Sequence, residues 1–118
     1  MLSKIGTVAL NGRKTHTVEV EADISENNYQ QRINVVGLPD SSVRESKDRI
    51  QSALKASGFS LPKGQVTLAL APADIRKTGA HFDLPMALSF ITTTSNISSD
   101  FLKDFLIIGE LALDGHIR

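Results

Sequence analysis

Cysteine is absent from all 118 residues. That excludes disulfides, thiolate nucleophiles and zinc sites built on cysteine, and it suits a cytoplasmic location. Charge of either sign is not in excess: 13 Lys and Arg offset 13 Asp and Glu. No global field therefore draws the chain to nucleic acid or acidic lipid, and any basic face has to be local. No apolar run approaches the roughly 20 residues that a membrane span needs, and the opening MLSKIGTVALNG lacks the apolar segment of a signal peptide. Neither an internal repeat nor a low-complexity tract is present. Aromatics are scarce, with one Tyr (Tyr29) and five Phe. The Phe read as core, which leaves little for the stacking platform of a single-strand binder. No GxxxxGK[ST] occurs: residues 58–64 hold two glycines and a lysine but lead into a strand, not a helix. His16, His81 and His116 are far apart, and no HExxH spacing occurs. The chain is thus expected to hold no metal, no cofactor and no membrane.

A length of 118 residues suits one compact domain with a substantial core. The organising stretch is 65–88, QVTLALAPADIRKTGAHFDLPMAL. Val66, Leu68 and Leu70 alternate with Thr67 and Ala69 as in a strand, which Pro72 ends because proline cannot donate to a ladder. Residues 74–79 form a polar turn carrying Arg76 and Lys77. Asp83 then caps a helix with Pro85 in its first turn. Its residues Leu84, Met86, Ala87, Leu88, Phe90 and Ile91 are apolar nearly all round, which predicts burial. A loop held between such a strand and helix is where function is expected.

Before that stretch, residues 4–10 read as a strand and Asn11-Gly12 as a hairpin turn. Residues 15–24 alternate, with Val18, Val20, Ala22 and Ile24 on one face and Thr17, Glu19, Glu21 and Asp23 on the other. Residues 25–30 are turn-like, and 31–37 form a third strand. Ser42-Val43-Arg44-Glu45 matches a capping box at the start of a helix. Val43, Ile50, Ala53 and Leu54 line its apolar stripe, and Arg44, Lys47, Asp48, Arg49 and Lys55 its exposed face. Gly58 and Phe59 close it. After a polar break at 92–100, residues 101–108 regain apolar character and 111–113 read as a strand. Asp114-Gly115 then signals a hairpin with little chain to return, so the sequence is expected to be a fragment. The order βββ-α-β-α-β-β predicts an α+β domain, a mixed sheet with two main helices on one face.

Three stretches carry a family resemblance: VVGLPDSSVRESKDRIQSALKASGF, VTLALAPADIRKTGAHFDLPMAL and IIGELALDGHIR. They resemble the N-terminal domain of the magnesium-chelatase-like AAA+ ATPases, the ComM family, and the similarity covers essentially the whole chain. The resemblance implies a ribosomal protein S5 domain 2-like fold, similar to the proteolytic domain of Lon and the Lon-like domain of RadA. It implies an AAA+ module downstream that uses ATP and Mg. It further implies a homo-oligomeric, hexameric ring acting on DNA in branch migration, with a scaffold role for this domain.

Lon-type peptidases pair a Ser nucleophile with a Lys. The position of this chain aligned with that serine holds His81, Thr78 precedes the glycine, and Ser89 lies too far along the helix. A degenerate peptidase and a chelatase motor subunit remain as alternatives to a non-catalytic scaffold. Arg76 and Lys77, beside Gly79 at a helix start, are the candidate DNA contact through phosphate; the plain alternative is a solvated turn. His81 beside Asp83 reads as a hydrogen-bonded loop histidine, Phe82 and Leu84 as core, and Asp74 as a carboxylate fixing the turn.

Overall fold

The computed structural model describes residues 3–26 and 31–118. Tyr29 and most of the turn expected over 25–30 lie outside them. Strands β1 (Ser3–Asn11) and β2 (Lys14–Glu26) form an antiparallel hairpin in which Asn11 faces Lys14. The two-residue turn is therefore Gly12-Arg13, one position later than Asn11-Gly12, with Gly12 at φ 63°, as this tight connection requires. Strand β3 (Gln31–Val36) leads through helices α1 (Ser41–Arg44) and α2 (Ser46–Ala56) to β4 (Gly64–Ala71). β4 inserts antiparallel to β2 and parallel to β3, giving the sheet order β1-β2-β4-β3. The chain is thus an α+β domain with a mixed four-stranded sheet, as the pattern of strands and helices implied.

Alternation in the strands places Val18, Val20, Ala22, Val66, Leu68 and Leu70 on one buried face. Helices α2 and α3 (Asp83–Thr94) pack against each other over that face. Their apolar sides contribute Ile50, Ala53, Leu54, Met86, Ala87 and Phe90 to the same core. The opposite face meets solvent with polar residues, where Lys4 Nζ lies 3.9 Å from Glu19 and 3.8 Å from Glu21. One-sided cover of this kind is what a largely antiparallel sheet permits.

Helix ends account for several differences from the sequence expectations. α1 is capped by Asp40, whose carboxylate accepts from the Val43 amide at 3.0 Å; Ser42 donates to that same carboxylate at 2.6 Å. The Ser42–Glu45 capping box does not form, because an aspartate one step earlier takes the cap and Glu45 sits at the join between α1 and α2. α2 closes as expected: the Phe59 amide donates to Leu54 O at 2.9 Å across Gly58 at φ 88°. α3 runs through Thr94, so the polar break begins later than residue 92. Thr92 and Thr93 are buried because their hydroxyls bond Leu88 O, Ser89 O and Ala22 O. Residues 101–108 and 111–113 do not become strands. Among the described residues they make only the single bridges Gly6 to Leu106 and Leu111 to Ile117, since the chain folds back on its own turns here.

Thr7 on β1 is fully buried, and its hydroxyl has no hydrogen-bond partner among the described residues. Burying an unpaired hydroxyl costs about 1–3 kcal/mol. Thr7→Val, which keeps the shape, is expected to raise the urea midpoint by the equivalent of about 1 kcal/mol. A lower midpoint would contradict this account.

Candidate functional site

The stretches that carry the family resemblance meet at one end of the sheet. Residues 37–40 (GLPD) run beside residues 77–79 (KTG) as a short parallel pair. Lys77 N donates to Leu38 O and Asp40 N donates to Lys77 O, both at 3.0 Å. Gly37 makes this crossing possible. It sits at φ 104°, and a Cβ there would lie 2.1 Å from Leu70 O, so no side chain fits. Asp40 also accepts from the Thr78 hydroxyl. Burial opposes charge on Asp40, but the donors Ser42, Thr78 and the Val43 amide outweigh it, so its pKa falls below the ordinary value.

Asp83 is fully buried. Arg49 from α2 holds it with two bonds, Nε to Oδ2 at 2.7 Å and Nη2 to Oδ1 at 3.0 Å. Oδ2 also accepts from the Leu111 amide at 3.0 Å. Arg49 Nη2 further donates to Ser42 O and Ser46 Oγ, each at 3.2 Å. Its guanidinium is held above its ordinary pKa, chiefly by the Asp83 hydrogen bond. Two expectations are corrected here. Asp83 is not a helix cap, because its carboxylate turns inward to Arg49. Arg49 is not part of an exposed face, because its side chain is only 20% accessible. Its other partner, Glu45 at 3.8 Å, is the i,i+4 neighbour that the charge pattern indicated.

The two residues proposed for phosphate contact part company. Arg76 is exposed. Lys77 is fully buried, its Nζ donating to Pro72 O, and burial pushes its pKa below the ordinary lysine value against the opposing pull of Asp74. The Gly79 amide, which a phosphate would need, already donates to Ser42 Oγ at 3.0 Å. His81 bonds Val8 O through Nε2 at 2.7 Å. Phe82 is fully buried and Leu84 packs on the core. Among the described residues no lysine amine bonds a Ser or Thr hydroxyl, and no three His, Asp or Glu converge as metal ligands. No helix among them is long and apolar enough to cross a membrane.

Ser42 and Arg49 are members of this site that the sequence pattern assigns to a capping box and to an exposed face, and Asp40 is a member to which it gives no role. An aspartate just before Ser41-Ser42-Val43 is itself an N-cap signal. Arg49 carries no local signal, since Asp83 is 34 residues away.

These interlocked loops belong to a magnesium-chelatase-like domain. The chain is a member of the family described as subunit ChlI of Mg-chelatase, which it matches over residues 20–118. It is similar to the uncharacterized protein YifB of Escherichia coli, 36% identical over 117 residues, covering 99% of this chain and 23% of that protein. Similarity to Rv2897c of Mycobacterium tuberculosis is also 36% over 117 residues, again covering 23% of the relative. The competence protein ComM of Haemophilus influenzae is 37% identical over 107 residues, 91% of this chain and 21% of ComM. The chain therefore spans about a quarter or less of the length of these curated relatives.

Removing Arg49 leaves a buried carboxylate without its counter-charge. Arg49→Ala is expected to lower stability by about 3 kcal/mol in urea unfolding. Arg49→Met combined with Asp83→Leu is expected to lose less than the two single changes summed. Strict additivity would show that the two residues do not act as a pair.

Lys77 makes a second, signed prediction. Its folded pKa is lowered, so between that value and the ordinary 10.5 the unfolded chain binds more protons. Stability contributed at this site therefore rises with pH through that window. Lys77→Met is expected to flatten the rise in a series of urea midpoints from neutral pH to 10.5. An unchanged slope would place the titration elsewhere.

Proposed function

We propose that this chain is the non-catalytic N-terminal scaffold of a ComM-like AAA+ ATPase. In this reading it has a Lon-like fold of the ribosomal protein S5 domain 2 type. It sits beside the ATPase module, helps subunits assemble into a hexameric ring, and guides DNA in branch migration. ATP and Mg then act in the module and not in this chain. The observation that carries the reading is where the polar groups of the family stretches are spent. Asp40, Ser42, Thr78, Arg49 and Asp83 bond one another and the backbone, joining α1, α2, α3 and the 109–111 segment. Chemistry turned inward in this way holds an architecture; it does not present a nucleophile. The likeness to a competence protein supports a task in DNA uptake and recombination. A motor subunit for magnesium chelation is the second reading, favoured by the family's description.

DNA guidance falls to Arg76, the exposed member of its pair. In the full-length protein, Arg76→Ala is expected to weaken single-stranded DNA binding and to reduce the salt slope by about one. Deleting the domain is expected to disperse the ring and slow branch migration. Intact hexamers with full branch-migration activity after deletion would defeat the scaffold reading. Restoration of magnesium insertion into porphyrin by the full-length protein would favour the second.

A further inference from the structure

We propose that the apolar groove between α2 and α3 is the seat of the polypeptide segment that follows Arg118 in the full-length protein. The inference rests on the reading above that this chain is one domain of a longer molecule. α3 carries apolar side chains on two sides. Met86 and Phe90 are buried in the core under the sheet. Leu84, Leu88 and Ile91, spaced i, i+4 and i+7, form a second stripe that is only half-buried. A helix that is apolar nearly all round is one covered nearly all round, and the sheet covers a single side. The second stripe walls a groove of about 120 Å³. Phe59, just after α2, and Ile117 line it too, and they are 41% and 62% exposed. Among the described residues no charged side chain lines the groove. That composition excludes a phosphate backbone as the occupant. The volume falls well below the roughly 300 Å³ at which small-molecule sites begin. Room and chemistry both suit apolar side chains delivered by a polypeptide.

The backbone beside the groove selects which polypeptide. Leu84 N donates to Gly109 O at 2.9 Å, and Gly109 N donates to His81 O at 3.0 Å. A Cβ on Gly115 would lie 2.5 Å from Ser57 Oγ, so the turn between Leu111 and Ile117 rests on the end of α2. Ala112 N donates to His116 O and Arg118 N to Glu110 O, both at 2.8 Å. The arm 116–118 is thereby fixed beside the groove, with Ile117 in its wall. A chain continuing from Arg118 starts at the site it would fill. Tethering gives it an effective concentration there on the order of millimolar, an advantage that a second copy or a separate protein lacks. Such a continuation is present in the relatives' length, since the matched region is 23% of YifB and 21% of ComM. Apolar walls presented from a hydrogen-bonded backbone lose little freedom on being covered.

Photo-cross-linking in the full-length protein tests the proposal. The cross-linker p-benzoylphenylalanine replaces Phe59, which keeps the aromatic ring, and linked peptides are identified by mass spectrometry in a mixture of light and heavy-isotope protein. Links within one polypeptide, to the segment immediately after Arg118, are expected. Links between light and heavy chains would assign the groove to a second copy and overturn the proposal. Links to the ATPase module, or none beyond Arg118, overturn it equally. The same cross-linker in place of Phe101, which is 65% exposed and outside the groove, is expected to leave that segment unlabelled; equal labelling from both positions defeats the assignment. Ile117→Ala is expected to speed thermolysin cleavage of the segment about tenfold, because lost apolar cover raises the open population. Leu10→Ala on β1, where the side chain is 58% exposed, is expected to leave that rate unchanged. An Ile117→Ala protein cleaved no faster than the native one contradicts the inference. The scaffold reading fails separately, if full-length rings assemble without this domain; the cross-links do not depend on ring formation.

Discussion

A buried aspartate with a forked arginine is the constraint on which this structure depends. Asp83 at the start of α3 has no access to solvent, and a bare carboxylate there would be strongly unfavourable. Arg49 supplies the geometry that makes it tolerable, two parallel bonds from a planar fork. The fork's spare donor reaches Ser42 and Ser46, and the carboxylate's spare lone pair reaches the Leu111 amide. Three segments distant in sequence are thereby placed against one another with directional precision, which apolar packing alone does not provide. The core between sheet and helices gives the domain its bulk stability; this ion pair ties α2, α3 and the 109–111 segment to one another through directional bonds.

The GLPD and KTG loops inherit their positions from that arrangement. α1 begins at Asp40, and α3 follows directly on the turn that contains Gly79, so fixing α2 against α3 also brings these loops together. Ser42 has a part in both contacts: its carbonyl accepts from Arg49 and its hydroxyl bonds Asp40 and Gly79. The result is a closed polar network on the surface end of the sheet with Arg76 standing outside it. Lys77 shows how far closure goes, since even an amine is drawn inside and given a carbonyl.

Much of this was legible in the sequence. Period-two alternation marked β2 and β4 correctly, because each has one buried face and one wet one. Gly58 and Phe59 marked the end of α2, because a left-handed closing residue is a local requirement. Other features were hidden for physical reasons. Arg49 looks like any other charge on a helix, and only the docking of α3 reveals its partner. Lys77 is adjacent to Arg76 in a polar turn, and nothing local says that one points in and the other out. Residues 101–108 are apolar enough to suggest a strand, but a strand needs a neighbour along its whole length, and among the described residues they bridge only to Gly6. The phenylalanines read as core in the sequence, but Phe59, Phe101 and Phe105 are exposed and Phe82 and Phe90 are buried.

The position of β4 has a consequence for how the chain reaches this state. β1 and β2 are joined by two residues and can zip up locally, but β4 must arrive between β2 and β3 after the whole α1–α2 crossover has been traversed. Closing that long excursion is an entropic toll collected before the central ladder returns anything. By topology, therefore, the pairing of β4 between β2 and β3 is the slow contact of this fold and the hairpin the fast one.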